Sequence, residues 1–131
     1  MTIFALRKIP EVSRKISVYK IIINGRCPYD EFEMVISREA TYGKELLTIQ
    51  ARLTEMAEGK LLPEQKFKNI TPVGDLVKEY EIKTRNLRVY LFHEKNTGRI
   101  IVSGGKKVKQ KSMIKYFRNI KRQYILKGNG I

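Results

Sequence analysis

The chain has 131 residues, 42% of them hydrophobic, and a formal net charge of +14 from 27 Lys and Arg against 13 Asp and Glu. That length and apolar content suit one compact domain, residues 1–131, and exclude wholesale disorder. The charge speaks of partners rather than of fold: nucleic acid, an anionic membrane surface or an acidic protein.

One cysteine, Cys27, and one histidine, His93, exclude an internal disulfide and a zinc site built from nitrogen and sulfur ligands. A Cys27–His93 nucleophilic pair competes with the commoner use of a free cysteine as a small buried filler. No apolar run approaches the ~18 residues of a membrane span, and the apolar stretch of MTIFALRKIPEVSRKI is too short for a secretory signal. The expectation is a soluble cytoplasmic protein that uses no membrane.

In chain order, residues 1–16 read as an N-terminal arm, with Pro10 breaking any helix. SVYKIII, Ser17 to Ile23, is rich in β-branched residues and predicts a strand. GRCP turns the chain, and DEFEMVIS from Asp30 predicts a short helix with acids in its first turn. Thr41 to Glu58 predicts a longer helix, its stripe formed by Leu46, Ile49, Leu53, Met56 and Ala57, with Gly59 past its end. LLPEQKFKNITPVGD reads as a loop. Then come three predicted strands, Leu76 to Thr84, Leu87 to His93 and Arg99 to Ser103. Asn86 suits the tight turn between the first two, and Gly98 the loop between the last two. Ser112 is placed as the N-cap of a final helix with Met113, Phe117, Ile120 and Tyr124 inward and Lys115, Arg118 and Arg122 wet. The expected fold is therefore α+β: an antiparallel sheet of about four strands, two helices in the N-terminal half and a C-terminal helix.

All thirteen acidic residues lie at or before Glu94, so the C-terminal third carries only cations. A bland surface mixes both signs; a one-signed third is an anion-binding footprint. A two-residue turn at Arg85-Asn86 pairs Lys83 with Arg88, Glu81 with Tyr90, Ile82 with Val89 and Tyr80 with Leu91. Setting Glu94 opposite Arg99 in the next hairpin places Tyr90 beside Ser103 and Arg88 beside Gly105, a shallow basin among small residues that GGKKVKQK would rim with lysines. Lysines on strands also serve to prevent edge pairing. That accounts for one or two of them, and less well for Lys83, Arg85, Arg88, Lys106, Lys107 and Lys109 converging from three segments.

The phrase KEYEIKTRNLRVYLF, the GGKKVKQKS segment and the terminal helix resemble the RelE/HigB/ParE superfamily of toxin–antitoxin toxins, on the side of its RelE- and HigB-like members. The resemblance follows the element order from about Ser17 to Leu126, with sequence detail from Tyr80 to Tyr116. It implies an antiparallel sheet flanked by helices, and a ribosome-dependent mRNA endonuclease without metal or other cofactor, held inactive by a cognate antitoxin. The implied catalytic positions are Lys83, Arg88, Lys107 (where the family has an arginine) and Tyr116, the tyrosine nearest the family's position though a few residues late. Arg85, Lys106, Lys109 and Lys111 are implied as RNA-binding. The first of the family's two strand lysines is Glu81 here, and where HigB-like members use histidines only His93 is present. In such a nuclease the RNA 2′-OH attacks the phosphorus, fixed cations stabilise the added charge, and a tyrosine or histidine protonates the leaving oxygen. Lys83 is the candidate base if neighbouring cations press it toward neutrality. Two other classes stay open: a ParE-like toxin that inhibits gyrase by protein contact, and a non-catalytic basic nucleic-acid-binding protein.

Overall fold

The computed structural model describes residues 1–128. The chain runs β1 (Phe4–Lys8), β2 (Val18–Ile23), α1 (Pro28–Ser37), α2 (Ala40–Ala57), β3 (Phe67–Asn69), β4 (Glu79–Lys83), β5 (Leu87–Glu94), β6 (Gly98–Lys106), a single 3-10 turn at Lys107–Lys109, and α3 (Gln110–Leu126). The strands form one six-stranded sheet in the order β1-β2-β6-β5-β4-β3. Five neighbours meet through four antiparallel pairings and one parallel pairing, that of β2 with β6.

This corrects the expected sheet of about four antiparallel strands: it has six and is mixed. The two additions are edge strands. β1 lies inside the expected arm, and β3 inside the expected loop. Both are short and carry no fully buried residue, so neither has the apolar signal of a central strand. After the two helices the chain re-enters the sheet as β3, opposite in sense to β2, and the three antiparallel steps from β3 through β4 and β5 to β6 bring β6 beside β2 in the same sense.

The sheet is covered on both faces. Phe32 and Ile36 of α1 and Ile49, Leu53 and Met56 of α2 pack on Ile82, Val89, Leu91 and Ile101. On the other face Phe117, Ile120 and Tyr124 of α3 pack on Tyr90, Phe92, Ile100 and Val102. β5 is therefore buried along nearly its whole length, as a strand between two helical layers must be. Each fully buried aromatic or aliphatic side chain here contributes roughly 1.5–3 kcal/mol by leaving water.

The first hairpin has the register expected of an Arg85-Asn86 turn: Lys83 faces Arg88, Glu81 faces Tyr90 and Tyr80 faces Leu91. The second hairpin differs. Glu94 faces Gly98 and His93 faces Arg99, one residue away from the expected pairing. A bulge between Leu91 and Tyr90 on β5's partner then absorbs one residue, so that Tyr90 does meet Ser103 and Arg88 meets Gly105. Bulges sharpen local twist. Here β2 leaves β6 at the same place: their pairing ends at Lys20 and Ile101, while β2 runs on with β1 to Ile23.

Helix α3 begins at Gln110, ahead of Ser112, which is no N-cap: its hydroxyl donates to the Lys109 carbonyl 3.0 Å away. Lys121, absent from the expected stripe, is 4% exposed. Its ammonium donates to Asp75 Oδ2 at 2.7 Å, the Val77 carbonyl at 2.8 Å and Glu79 Oε2 at 2.8 Å. Arg118, expected wet, donates from Nε to Glu79 Oε1 at 2.9 Å. The network ties α3 to β4 and to the loop before it.

Candidate nucleic-acid interface

The tip of the β4–β5 hairpin is locked from behind by α2. Glu45 Oε1 accepts from the Thr84 hydroxyl and, at 2.9 Å, from the Asn86 N–H; Oε2 accepts from Asn86 Nδ2 at 2.8 Å. Burial alone would raise the Glu45 carboxyl, but these hydrogen bonds and the charge of Arg85 hold it below the usual glutamate range. The turn is thus held by a carboxylate that no local sequence signal announces.

On this tip the structure brings several of the expected cations together. Lys83 and Arg88 face each other across the strands. Arg88 is 8% exposed, because its guanidinium curls back over the turn: Nη1 donates to the Thr84 carbonyl at 2.6 Å and the Leu87 carbonyl at 2.8 Å, leaving buried Nε without a partner. Lys83 is half-buried, 4.0 Å from Glu81 Oε1. Arg85 is exposed in the turn itself. Lys107 joins through its backbone, its N–H donating to the Asn86 carbonyl at 2.8 Å while its side chain is exposed.

Beneath this pair lies a group the sequence reading missed. Glu81 is 1% exposed; its Oε2 accepts from the Tyr90 hydroxyl at 2.8 Å and from Gln110 Nε2 at 2.6 Å. Burial and the bond to Glu81 push the Tyr90 phenol far up, so Tyr90 is a fixed donor. The cross-strand register pairing Glu81 with Tyr90 was the available signal; Gln110 comes from another element and carried none. Buried beside two cations, the Glu81 carboxylate offsets the repulsion between facing Lys83 and Arg88.

Other expected residues go elsewhere. Lys106 pairs with Glu39 at 3.1 Å and sits 5.0 Å over the Tyr42 ring, on the α1/α2 side. Lys109 and Lys111 are exposed where α3 begins. A helix N-terminus disfavours cations, so these lysines with Lys107 do nothing for the helix and leave a positive field at its start. Tyr116 does not join the hairpin cluster. It lines a groove of about 890 Å³ with Arg26, Glu31, Phe32 and Met113, and burial together with Glu31 raises its phenol against the opposing effect of Arg26.

Cys27 and His93 form no pair. Burial raises the Cys27 thiol, while His93 Nδ1 accepts from Arg99 Nε at 3.0 Å. Burial and Arg99 both lower the imidazole, keeping it neutral and structural. Arg99 in turn lies 4.3 Å over the Tyr80 ring. Among the described residues no group of His, Cys, Asp and Glu could hold a metal ion, and no helix is long and apolar enough to cross a membrane.

No family model matches the chain, and comparison with curated proteins and with solved structures gives no significant match.

Proposed function

We propose that the protein is the toxin of a toxin–antitoxin pair, acting in the cytoplasm as a metal-independent endoribonuclease on mRNA under translation. The observation that carries the reading is the cationic hairpin tip: Lys83 faces Arg88, Arg85 lies in the turn, and Lys107 is fastened to that turn by its backbone. Strand-borne cations held this firmly suit charge that develops on a phosphate during attack by the 2′-OH. Arg88, anchored through Nη1 to the Thr84 and Leu87 carbonyls, contributes a fixed positive charge beside the turn. Lys83, ion-paired to Glu81, serves as a second clamp, a role that replaces the base considered for it above. Arg85, Lys109 and Lys111 hold mRNA and ribosomal RNA through backbone contacts. A cognate antitoxin offsets the positive field.

Tyr116 lies in the groove with Arg26 and Glu31, away from the clamp. That placement favours, as a second reading, a role in binding without cleavage, either as a non-catalytic RNA binder or as a ParE-like protein inhibitor.

The test is induced expression in a bacterium with primer extension on an abundant mRNA, wild type beside Lys83→Ala and Arg88→Ala. Growth arrest with new 5′ ends inside translated codons, lost in both well-folded variants, is the expected result. Arrest without cleavage moves the assignment to a protein target; neither arrest nor cleavage overturns the toxin reading.

A further inference from the structure

The sheet is open along one side of its central strand. β6 has β5 beside it from Gly98 to Lys106, but β2 beside it only as far as Ile101. From Val102 to Lys106 no strand among the described residues pairs with the β2-facing edge. The 890 Å³ groove occupies the gap and reaches the β6 backbone at Ser103 to Lys106. Its floor is made for close approach. A Cβ on Gly104 would come within 2.8 Å of the Phe32 ring, and one on Gly105 would collide with Met113 sulfur, so backbone rather than side chain is presented there.

The walls are apolar, with Phe32 and Val35 from α1 and Met113 and Tyr116 from α3. Val35 and Tyr116 are exposed at 55% and 43%. Ser103 is 7% exposed, lines the groove, and its Oγ has no hydrogen-bond partner among the described residues. Buried hydroxyls are rarely left so. The rim carries Arg26, Lys106 and Lys109; Arg26 and Lys106 already hold Glu31 and Glu39, whereas Lys109 is in no ion pair among the described residues.

We propose that this groove takes an extended segment of a protein partner, apolar residues alternating with acidic ones, which adds as a strand to the free edge of β6 between α1 and α3. Unpaired strand N–H and C=O groups specify an extended backbone. The pleat sends alternate side chains of the incoming strand to opposite sides, the apolar ones toward Phe32 and Val35 of α1 and the acidic ones toward the α3 side, past Met113 and Tyr116 to the rim lysine Lys109. The net charge of +14 favours carboxylates. The inference is independent of RNA cleavage, and its test has no RNA readout.

The probe is a fluorescein-labelled peptide alternating valine and glutamate, seven residues long, with a lysine-for-glutamate counterpart and a version carrying prolines in place of two valines. Fluorescence anisotropy gives affinity, and hydrogen exchange gives the amides covered. The acidic peptide is expected to bind, to protect amides within Val102–Lys106, and to lose about tenfold or more in affinity on charge reversal or proline substitution. Val35→Glu, at an exposed helix position that leaves folding intact by circular dichroism, is expected to weaken it by a similar factor. No binding, binding without protection of those amides, or equal binding by the lysine or proline peptides overturns the proposal. Concentration-dependent dimerisation that protects the same amides assigns the edge to a second copy of this chain and overturns it equally.

Discussion

Glu45 illustrates how one carboxylate can hold a turn it is remote from in sequence. It takes three hydrogen bonds from Thr84 and Asn86. Glu45→Ala removes all three and is expected to cost about 1–3 kcal/mol, read as a drop in urea midpoint with unchanged m value. The lowered carboxyl sets the sign of its pH dependence. A folded pKa below the unfolded one gives stability that is full above the ordinary glutamate value of about 4.3 and is lost as pH falls through the folded value. Urea titrations from pH 7 down to pH 3 are expected to show a shallower loss in Glu45→Gln than in the wild type. Gly98 is a second single-residue constraint. Its φ is +138°, and a Cβ there would strike the Ser17 carbonyl. Gly98→Ala combines backbone strain with a clash against main chain, whereas Gly104→Ala asks only the Phe32 ring to shift. We expect Gly104→Ala to cost about 1–3 kcal/mol and Gly98→Ala more, by thermal unfolding of the two side by side.

At the scale of elements, α3 is held by ions as well as by its aromatic stripe. Lys121 satisfies Glu79, itself 1% exposed. Lys121→Met leaves that carboxylate short of a partner and is expected to cost about 3–5 kcal/mol, while Lys121→Met with Glu79→Leu recovers much of it. A double-mutant cycle by chemical denaturation measures the coupling. The element scale also separates what the sequence revealed from what it hid. The β4–β5 register was legible, because a two-residue turn with Asn86 leaves the pairing no freedom. The next hairpin was not, because a bulge leaves no mark in an apolar run; the same extra residue hid the point where β2 leaves β6. β1 and β3 were missed because an edge strand need bury only part of one face. Arg118 was placed on the wet face, and Lys121 was given no role, because their partners lie far back along the chain, at Ile70, Asp75, Val77 and Glu79. Of the candidate site, the facing Lys83 and Arg88 were legible from register alone. Gln110 and Glu45 were not, since each reaches the hairpin from a different helix.

Across the whole molecule the two signs of charge are used differently. Most carboxylates are committed internally: Asp30 to Lys20, Glu31 to Arg26, Glu39 to Lys106, Asp75 and Glu79 to Lys121. Lys107, Lys109, Lys111 and Lys115 are exposed and in no ion pair among the described residues. The unpaired cations therefore concentrate the positive field at the start of α3. For single-stranded RNA, log affinity is expected to fall linearly with log salt concentration. Lys109→Ala and Lys111→Ala should each lessen that slope by roughly one unit or somewhat less, without changing sequence preference. Filter binding across a salt series decides it; an unchanged slope places the RNA contacts on another face.

The position of β6 has a consequence for how the chain comes into being. It lies inside the sheet, between β2 and β5, yet of the sheet's six strands it is the last to leave the ribosome. Until residues 98–106 emerge, the β1–β2 ribbon has nothing to join it to the β4–β5 hairpin. Vectorial synthesis therefore withholds the assembled sheet until near the end, and the long sequence separation between β2 and β6 makes closure slow. Nascent chains stalled before Gly98 remain protease-sensitive on this account, and resistance arrives only when β6 and α3 are both outside the exit tunnel.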